Sequence, residues 1–345
     1  MKTLCVLGEY GYGDPARGLG YEAVNFLPAI RRLGSEIVTI DSWDRTRHCD
    51  FAALNFELLA AVRDERPDLI FCVLAGYEVW TETLDLIRAC SRAPLVNWGT
   101  DDSWKYAQFS RHVAPHVDVW ATTSAVAAKV AAMDGLTNFF PTQWAASLDS
   151  LAEPLPASQC RYAVSFVGSA YGNRRRWVSS LQSRGIEVAC FGHGWEAGPV
   201  AADDIPRIYR ESVVTLNFGD SGLHLDGVKL HRSRQIKARV FEVPGAGGCL
   251  LTEPAEGLEE YYAPGKEIAV FRDSHELARL VRHYLDHPLE RDAMARRGNA
   301  RTRREHTYDH RFARLLESVG GMRAKRVDAT ASECCLLYTS PSPRD

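Results

Sequence analysis

The stretch LCVLGEYGYGDPARGLGYEAVNFLPAIRRLGSEIVTID, residues 4–41, decides how the chain reads. Its first four residues are apolar without alternation, as in a strand buried on both faces. Ala23, Phe26, Leu27 and Ile30 then recur at helical spacing, and Gly34 follows as a stop. EIVTID opens a second strand from Glu36. A strand, a helix and a strand in so short a span predict a parallel pair joined by a helical crossover.

The same alternation continues outward. Strands are predicted at LIFCVLA from Leu69, PLVNW from Pro94 and VDVWATT from Val117. Leu54, Leu58 and Val62 form a second helical stripe. SLDSLAEPLPASQ, residues 147–159, has two prolines and no sustained period, and it reads as a connection. The pattern restarts with YAVSFVG from Tyr162, IEVACFG from Ile186, VVTLNFG from Val213, CLLTE from Cys249 and EIAVF from Glu267. Asp273 lies three residues before Glu276, a capping-box spacing, and Leu277, Leu280, Val281, Tyr284 and Leu285 form the apolar face of the helix that follows. Two α/β domains result, 1–146 and 160–320, joined by 147–159. Residues 321–345 have no period and end in SPSPRD; they are expected to be disordered and non-native, so Cys334 and Cys335 carry no role.

Bulk properties narrow the function classes. The 345 residues are 46% hydrophobic and 25% charged, ordinary values for a globular protein. A net charge of -3 gives no support for non-specific nucleic-acid binding. The opening MKTLCVLGEYGYGD has too few apolar residues for a signal-peptide core, and no stretch approaches a transmembrane length, so a cytoplasmic location is expected. Cys5, Cys72, Cys190 and Cys249 lie in apolar runs and read as reduced core thiols.

Ligands of parallel sheets bind outside the carboxyl ends of the strands, so the residues after each strand matter most. After the first strand, five glycines lie between Gly8 and Gly20, but Gly11 and Gly13 are followed by Ala16, which argues against a dinucleotide fingerprint. After PLVNW come Asp101 and Asp102. Capping a helix needs one carboxylate; the other can face a ligand as a base or bind hydroxyls. After YAVSFV, Gly168, Ser169 and Gly172 permit close approach, and Asn173 and Arg174 precede a helix. Arg174 to Arg176 are either a solvated helix start or a partner for an anion, since cations are disfavoured at a helix N-terminus. In KARVFEVPGAGG, Lys237 and Arg239 suit a diphosphate, while Glu242 suits two ribose hydroxyls or an ion pair with Arg239. Gly247 and Gly248 follow at the entry to a buried strand. His306 and His310 lack an acidic zinc-site pattern and read as packing residues.

FVGSAYGNR, GHGW (192–195), LNF (216–218), KARVFEVPGAGGCLLTE and HTYDHR, in that order from about Tyr162 to Leu315, resemble the CgeB-like spore-maturation glycosyltransferases of bacteria and the "glycosyl transferases group 1" C-terminal domain. The N-terminal half matches more loosely. The resemblance implies a GT-B fold, two Rossmann-like domains with parallel sheets facing across a cleft. It further implies transfer of a sugar from a nucleotide diphosphate sugar, bound by the C-terminal domain, to a glycan, lipid or peptide acceptor on the N-terminal side. Glu242 would match the second glutamate of an E-x7-E motif, which holds the ribose; the first falls on Arg234. Neither metal nor cofactor is expected, the nucleotide sugar being a co-substrate. In these terms the catalytic candidates are Asp101 and Asp102, and the donor site comprises Gly168, Ser169, Asn173, Arg174, Lys237, Arg239, Glu242, Gly247 and Gly248. Alternatives are a non-catalytic binding module of a spore coat or cell surface, motivated by Arg234, and a nucleotide-sugar epimerase.

Overall fold

The computed structural model describes residues 1–226 and 229–323. They form two compact units, one of Met1–Thr142 with the chain from Phe312, the other of Gln143–Arg311.

In the first unit β1 (Lys2–Leu7), β2 (Glu36–Asp41), β3 (Leu69–Cys72), β4 (Leu95–Gly99), β5 (Val119–Thr122) and β6 (Phe139–Pro141) form one sheet in the order β2-β1-β3-β4-β5-β6. Every pairing is parallel. The expected crossover is α1 (Tyr21–Arg32), whose Phe26, Ala29 and Ile30 are buried. On one face, Leu4, Val6, Ile70, Cys72 and Leu95 pack against Leu54, Leu58, Leu84 and Ile87 from the helices Phe51–Glu65 and Thr81–Cys90. Phe26, Phe71 and Trp98 form an aromatic cluster that Phe312 completes, with ring centroids 5.3, 5.4 and 5.5 Å from it. That cluster explains why the chain returns to the first unit at Phe312, inside the stretch expected to close the second domain. Trp98, Phe71, Phe26 and Phe312 are all essentially inaccessible, and large aromatic surfaces contribute most when fully buried.

The second sheet repeats the plan with β7 (Tyr162–Val167), β8 (Ala189–Phe191), β9 (Ser212–Asn217), β12 (Leu250–Thr252) and β13 (Ala269–Val270) in the order β13-β12-β9-β7-β8, again all parallel. Between β9 and β12 the chain makes an antiparallel hairpin, β10 (Asp220–Asp226) and β11 (Lys229–Arg234). Neither β6 nor this hairpin is marked by an apolar run. One hydrophobic layer gathers Val164, Phe166, Val214, Leu216 and Leu251 under Leu277, Val281 and Met294; the other sets Leu250 and Ile268 against Val240, Phe241 and Val243. Residues 147–159 are part of this unit: Asn299 Nδ2 donates to the Ala152 carbonyl at 2.9 Å and Arg291 Nη1 to that of Leu155 at 2.7 Å. The last helix, Tyr308–Arg323, reaches into the tail that begins at residue 321; the rest of that tail, with Cys334 and Cys335, lies outside the described residues.

Both sheets change direction next to their first strand. The chain moves from β1 to β2 on one side and β3 on the other, and from β7 to β8 on one side and β9 on the other. The carboxyl ends at such a switch point diverge and leave a crevice, where ligands of open α/β sheets bind.

Candidate functional site

At the edge of the second sheet, Gly168 directly follows β7. Its N–H donates to the Phe191 carbonyl at 2.8 Å, and its carbonyl accepts from Trp195 Nε1 at 2.7 Å. Its backbone is therefore satisfied within the unit. What its missing side chain provides is room: a Cβ there would stand 2.9 Å from Arg239 Nη1 and 3.4 Å from Arg174 Nη1, and its φ of +149° suits glycine alone.

Those two guanidinium groups are the centre of the site. Arg174 opens the helix Arg174–Gln182 and is 3% exposed. Its Nη1 donates to the Ser169 carbonyl at 2.7 Å and its Nη2 to the Tyr171 hydroxyl at 2.8 Å, while the guanidinium lies 3.8 Å from the Tyr171 ring centroid. Its buried Nε has no hydrogen-bond partner, nor has the buried Oδ1 of the neighbouring Asn173. Burial, then the charge of Arg239, pulls the Arg174 pKa down to about 10. Arg239, half-buried, is fixed by Nε to Asn217 Oδ1 at 3.1 Å, and Asn217 Nδ2 bonds Thr252 Oγ1 at 2.9 Å. Two like charges so placed raise each other's energy, and an anion between them removes that cost.

Two carboxylates complete the edge. Asp220 is 2% exposed, and its charge and that of Glu253 act on Arg174 to favour its protonated form. Glu253, directly after β12, is 2% exposed. Its Oε2 accepts from the Gly219 N–H at 2.9 Å, whereas its buried Oε1 has no hydrogen bond. Burial pushes the Glu253 carboxyl above its ordinary range, and Arg234, with Nε 3.7 Å from Oε1, opposes that. So the arginine found where the motif expects a glutamate stands beside the glutamate that follows β12.

The remaining donor-site candidates are placed as follows. Lys237 Nζ bonds Gln235 Oε1 at 2.8 Å. Glu242 is half-buried in the helix Arg239–Gly245, and its charge, after burial, holds the Tyr209 phenol above its usual range. Gly247 and Gly248 are packing positions: added Cβ atoms would lie 2.8 Å from Pro154 N and 2.8 Å from the Tyr209 carbonyl.

At the edge of the first sheet the two aspartates separate. Asp102 is 3% exposed. Its Oδ1 accepts from Ser110 Oγ at 2.6 Å and its Oδ2 from Trp120 Nε1 at 3.0 Å, and Thr122 adds a third bond. A Cβ at Gly99 would overlap this carboxylate. Burial raises its pKa against those bonds. The Asp102 side chain thus ties β4, β5 and the following helix together, which removes it as a proton-transfer candidate facing a ligand. Asp101 is part exposed, with Lys105 Nζ 3.9 Å from its Oδ2. Glu22, in the first turn of α1, is half-buried, and its carboxyl is pushed up by burial and further by the charge of Asp101. His306 is a packing residue: Nε2 meets the Tyr261 carbonyl at 2.8 Å and Nδ1 meets Arg311 Nη2 at 3.3 Å. Among the described residues no three His, Cys, Asp or Glu side chains gather where they could hold a metal, and no helix is long and apolar enough to cross a membrane.

Sequence reasoning missed Glu22, Asn217, Asp220 and Glu253. Each is a polar residue at or just beyond the carboxyl end of a strand, or opening the helix after it, and that position was the signal that could have found them.

A family model described as "Glycosyl transferase-like" matches residues 174–317, the part that carries Arg174, Arg239 and Glu253. HepE of Anabaena, solved with UDP, superposes with a TM-score of 0.61 at 13% identity over 93% of this chain and 100% of that one. Sucrose-phosphate synthase of Thermosynechococcus elongatus gives 0.62 at 11% identity over 94% and 100%. A DNA-modifying β-glucosyltransferase gives 0.55 at 13% over 92% and 100%. Residues 174–317 are thus similar to glycosyl transferase-like domains, and the fold is GT-B. No curated protein matches the chain in sequence. In GT-B terms, the edge built by Arg174, Arg239 and Glu253 belongs to the second Rossmann-like unit, and the edge with Asp101 and Glu22 to the first.

Proposed function

We propose that the chain transfers a sugar from a nucleoside diphosphate sugar to an acceptor hydroxyl, and that the donor's diphosphate sits at the edge of the second sheet between Arg174 and Arg239. The observation that carries this reading is the buried Arg174, with an unbonded Nε and a pKa lowered by burial and then by a second arginine. A diphosphate supplies the missing acceptors and the missing charge, and planar guanidinium groups suit it in pairs. In the reaction the acceptor hydroxyl gives its proton to a base, its oxygen bonds the anomeric carbon, the bond from that carbon to the diphosphate oxygen breaks, and the two arginines take up the charge that develops on the leaving group. We assign this without a metal. Asp101, rather than Asp102, is the carboxylate of the first sheet exposed enough to serve as that base. The motif set also supports a CgeB-like glycosyltransferase.

Calorimetric titration with UDP, GDP and dTDP tests the reading. Saturable binding of at least one nucleotide is expected, and Arg239→Ala should weaken it about 10- to 100-fold. Absence of binding, or affinity untouched by that substitution, would sink it. Arg234 favours a second reading, a module that binds the donor without turnover; a nucleotide sugar that binds but is neither hydrolysed nor transferred would select it.

A further inference from the structure

We infer that Glu253 reads the sugar of the donor, its Oε1 accepting a hydrogen bond from a hydroxyl group of that ring; this rests on a nucleoside diphosphate sugar occupying the edge of the second sheet. Glu253 is 2% exposed and rigidly held, since Oε2 is bonded to the Gly219 N–H at 2.9 Å. Oε1 is equally buried and has no hydrogen bond. Folded proteins seldom leave a buried carboxylate oxygen unmet, because the lost water is not replaced. The fold brings Arg234 Nε only to 3.7 Å, an ion pair without a hydrogen bond.

The chemistry of the missing partner follows from the neighbours. Glu253 shares its electrostatic surroundings with Arg174, the proposed diphosphate ligand. A phosphate oxygen against Oε1 would set two anions in contact, so the diphosphate is excluded as its partner. A second cation is superfluous where Arg234 already faces the carboxylate. What remains is a neutral donor that enters with the diphosphate and is carried beside it. The hydroxyl groups of a pyranose fit, being neutral donors on the ring whose anomeric carbon is esterified to the diphosphate. Arg234 then has a positioning role, its charge keeping Glu253 ionised as an acceptor in a buried setting. The hairpin Asp220–Arg234 explains how this is built: its two ends, Asp220 and Arg234, pair with each other next to Gly219 and so bring the arginine back to the carboxylate.

Glu253→Gln tests this with two ligands, UDP and UDP-glucose, by calorimetry on the full chain. The amide has one acceptor oxygen, which the Gly219 N–H requires, so the variant turns a donor toward the sugar. UDP affinity should stay within about twofold while UDP-glucose affinity falls about tenfold. Glu253→Asp, which retracts the carboxylate by one methylene, should show the same selective loss and covers the case in which the amide variant does not fold. Equal losses for UDP and UDP-glucose would overturn the inference in favour of a ribose contact or a structural role, and no loss for either would overturn it outright. Wild-type protein that binds none of the nucleotides would instead overturn the donor-site reading itself.

Discussion

At the carboxyl edges of the two sheets, Asp102 and Glu253 each follow a buried strand and have opposite hydrogen-bond balances, although Ser42 Oγ and Asn97 Nδ2 of the first sheet are also buried without a hydrogen bond. In the first, Asp102 follows β4, is buried, and is bonded by Ser110, Trp120 and Thr122. In the second, Arg174 and Glu253 follow β7 and β12, are just as buried, and each keeps a polar atom without a hydrogen bond, as does Asn173. Residue type does not separate the two cases, since an acid after a buried strand occurs in both. The difference is whether the rest of the chain closes the hydrogen bonds. Where it does, the acid braces the fold. Where it does not, at the second edge, we propose that a polar ligand completes them.

The comparison can be broken most decisively at Asp102. Asp102→Ala strands the Ser110 hydroxyl and the Trp120 indole N–H in a buried place, at a cost of about 3 kcal/mol. The thermal midpoint should fall by several degrees, while nucleotide affinity stays within about twofold. Lost affinity with an unchanged midpoint would show that the two edges had been assigned the wrong way round.

A smaller effect is expected at a buried group whose hydrogen bonds the chain closes. Deeper in the second unit, His306 is buried and bonded through both ring nitrogens as a neutral ring, one to the Tyr261 carbonyl and the other to Arg311. Burial, reinforced by Arg311, lowers its pKa from 6.5 to about 4. Between those values the unfolded chain binds the proton and the folded chain does not, so this contribution to stability is present above about pH 6.5 and is lost as pH falls toward 4. By about pH 5 it should amount to ~2 kcal/mol. Urea unfolding of wild type and His306→Gln at neutral and acid pH measures it; parallel acid profiles for the two proteins would count against a neutral, satisfied ring.

The smallest effect is expected at the first edge. Tyr12, in the glycine-rich loop, is 81% exposed with φ of 56°, a left-handed conformation costly for a residue with a Cβ. Its ring meets only Trp43 at 6.5 Å and the Arg17 guanidinium at 5.2 Å among described ring contacts. Tyr12→Gly should raise stability by about 0.5 kcal/mol, the relief of strain slightly exceeding the entropy that glycine adds to the unfolded chain. A loss of stability would mean that the ring packs more firmly than its exposure indicates.

Much of the fold was legible because its signals are local. VVTLNF reads as a strand from its apolar residues alone, and Asp273 caps its helix as expected, Oδ1 accepting from the N–H groups of His275 and Glu276 at 2.8 and 2.9 Å. The hairpin strands Asp220–Asp226 and Lys229–Arg234 escaped because they are mixed in polarity. The return of the chain at Phe312 escaped because its partners Phe26, Phe71 and Trp98 lie more than 200 residues away. Arg174 and Arg239 were legible from their places beside glycines and helix starts. Glu253 was not, since a strand-ending acid usually marks the boundary with water.

The sequence by itself determined two parallel α/β layers, the crossover helices, and which loops stand at the carboxyl edges, because apolar period and capping act within a few residues of each other. Only the tertiary structure decided which polar groups at those edges are satisfied. Hydrogen-bond closure depends on atoms contributed from distant segments, Ser110 and Trp120 to Asp102 and Gly219 to Glu253, and no local signal carries that balance.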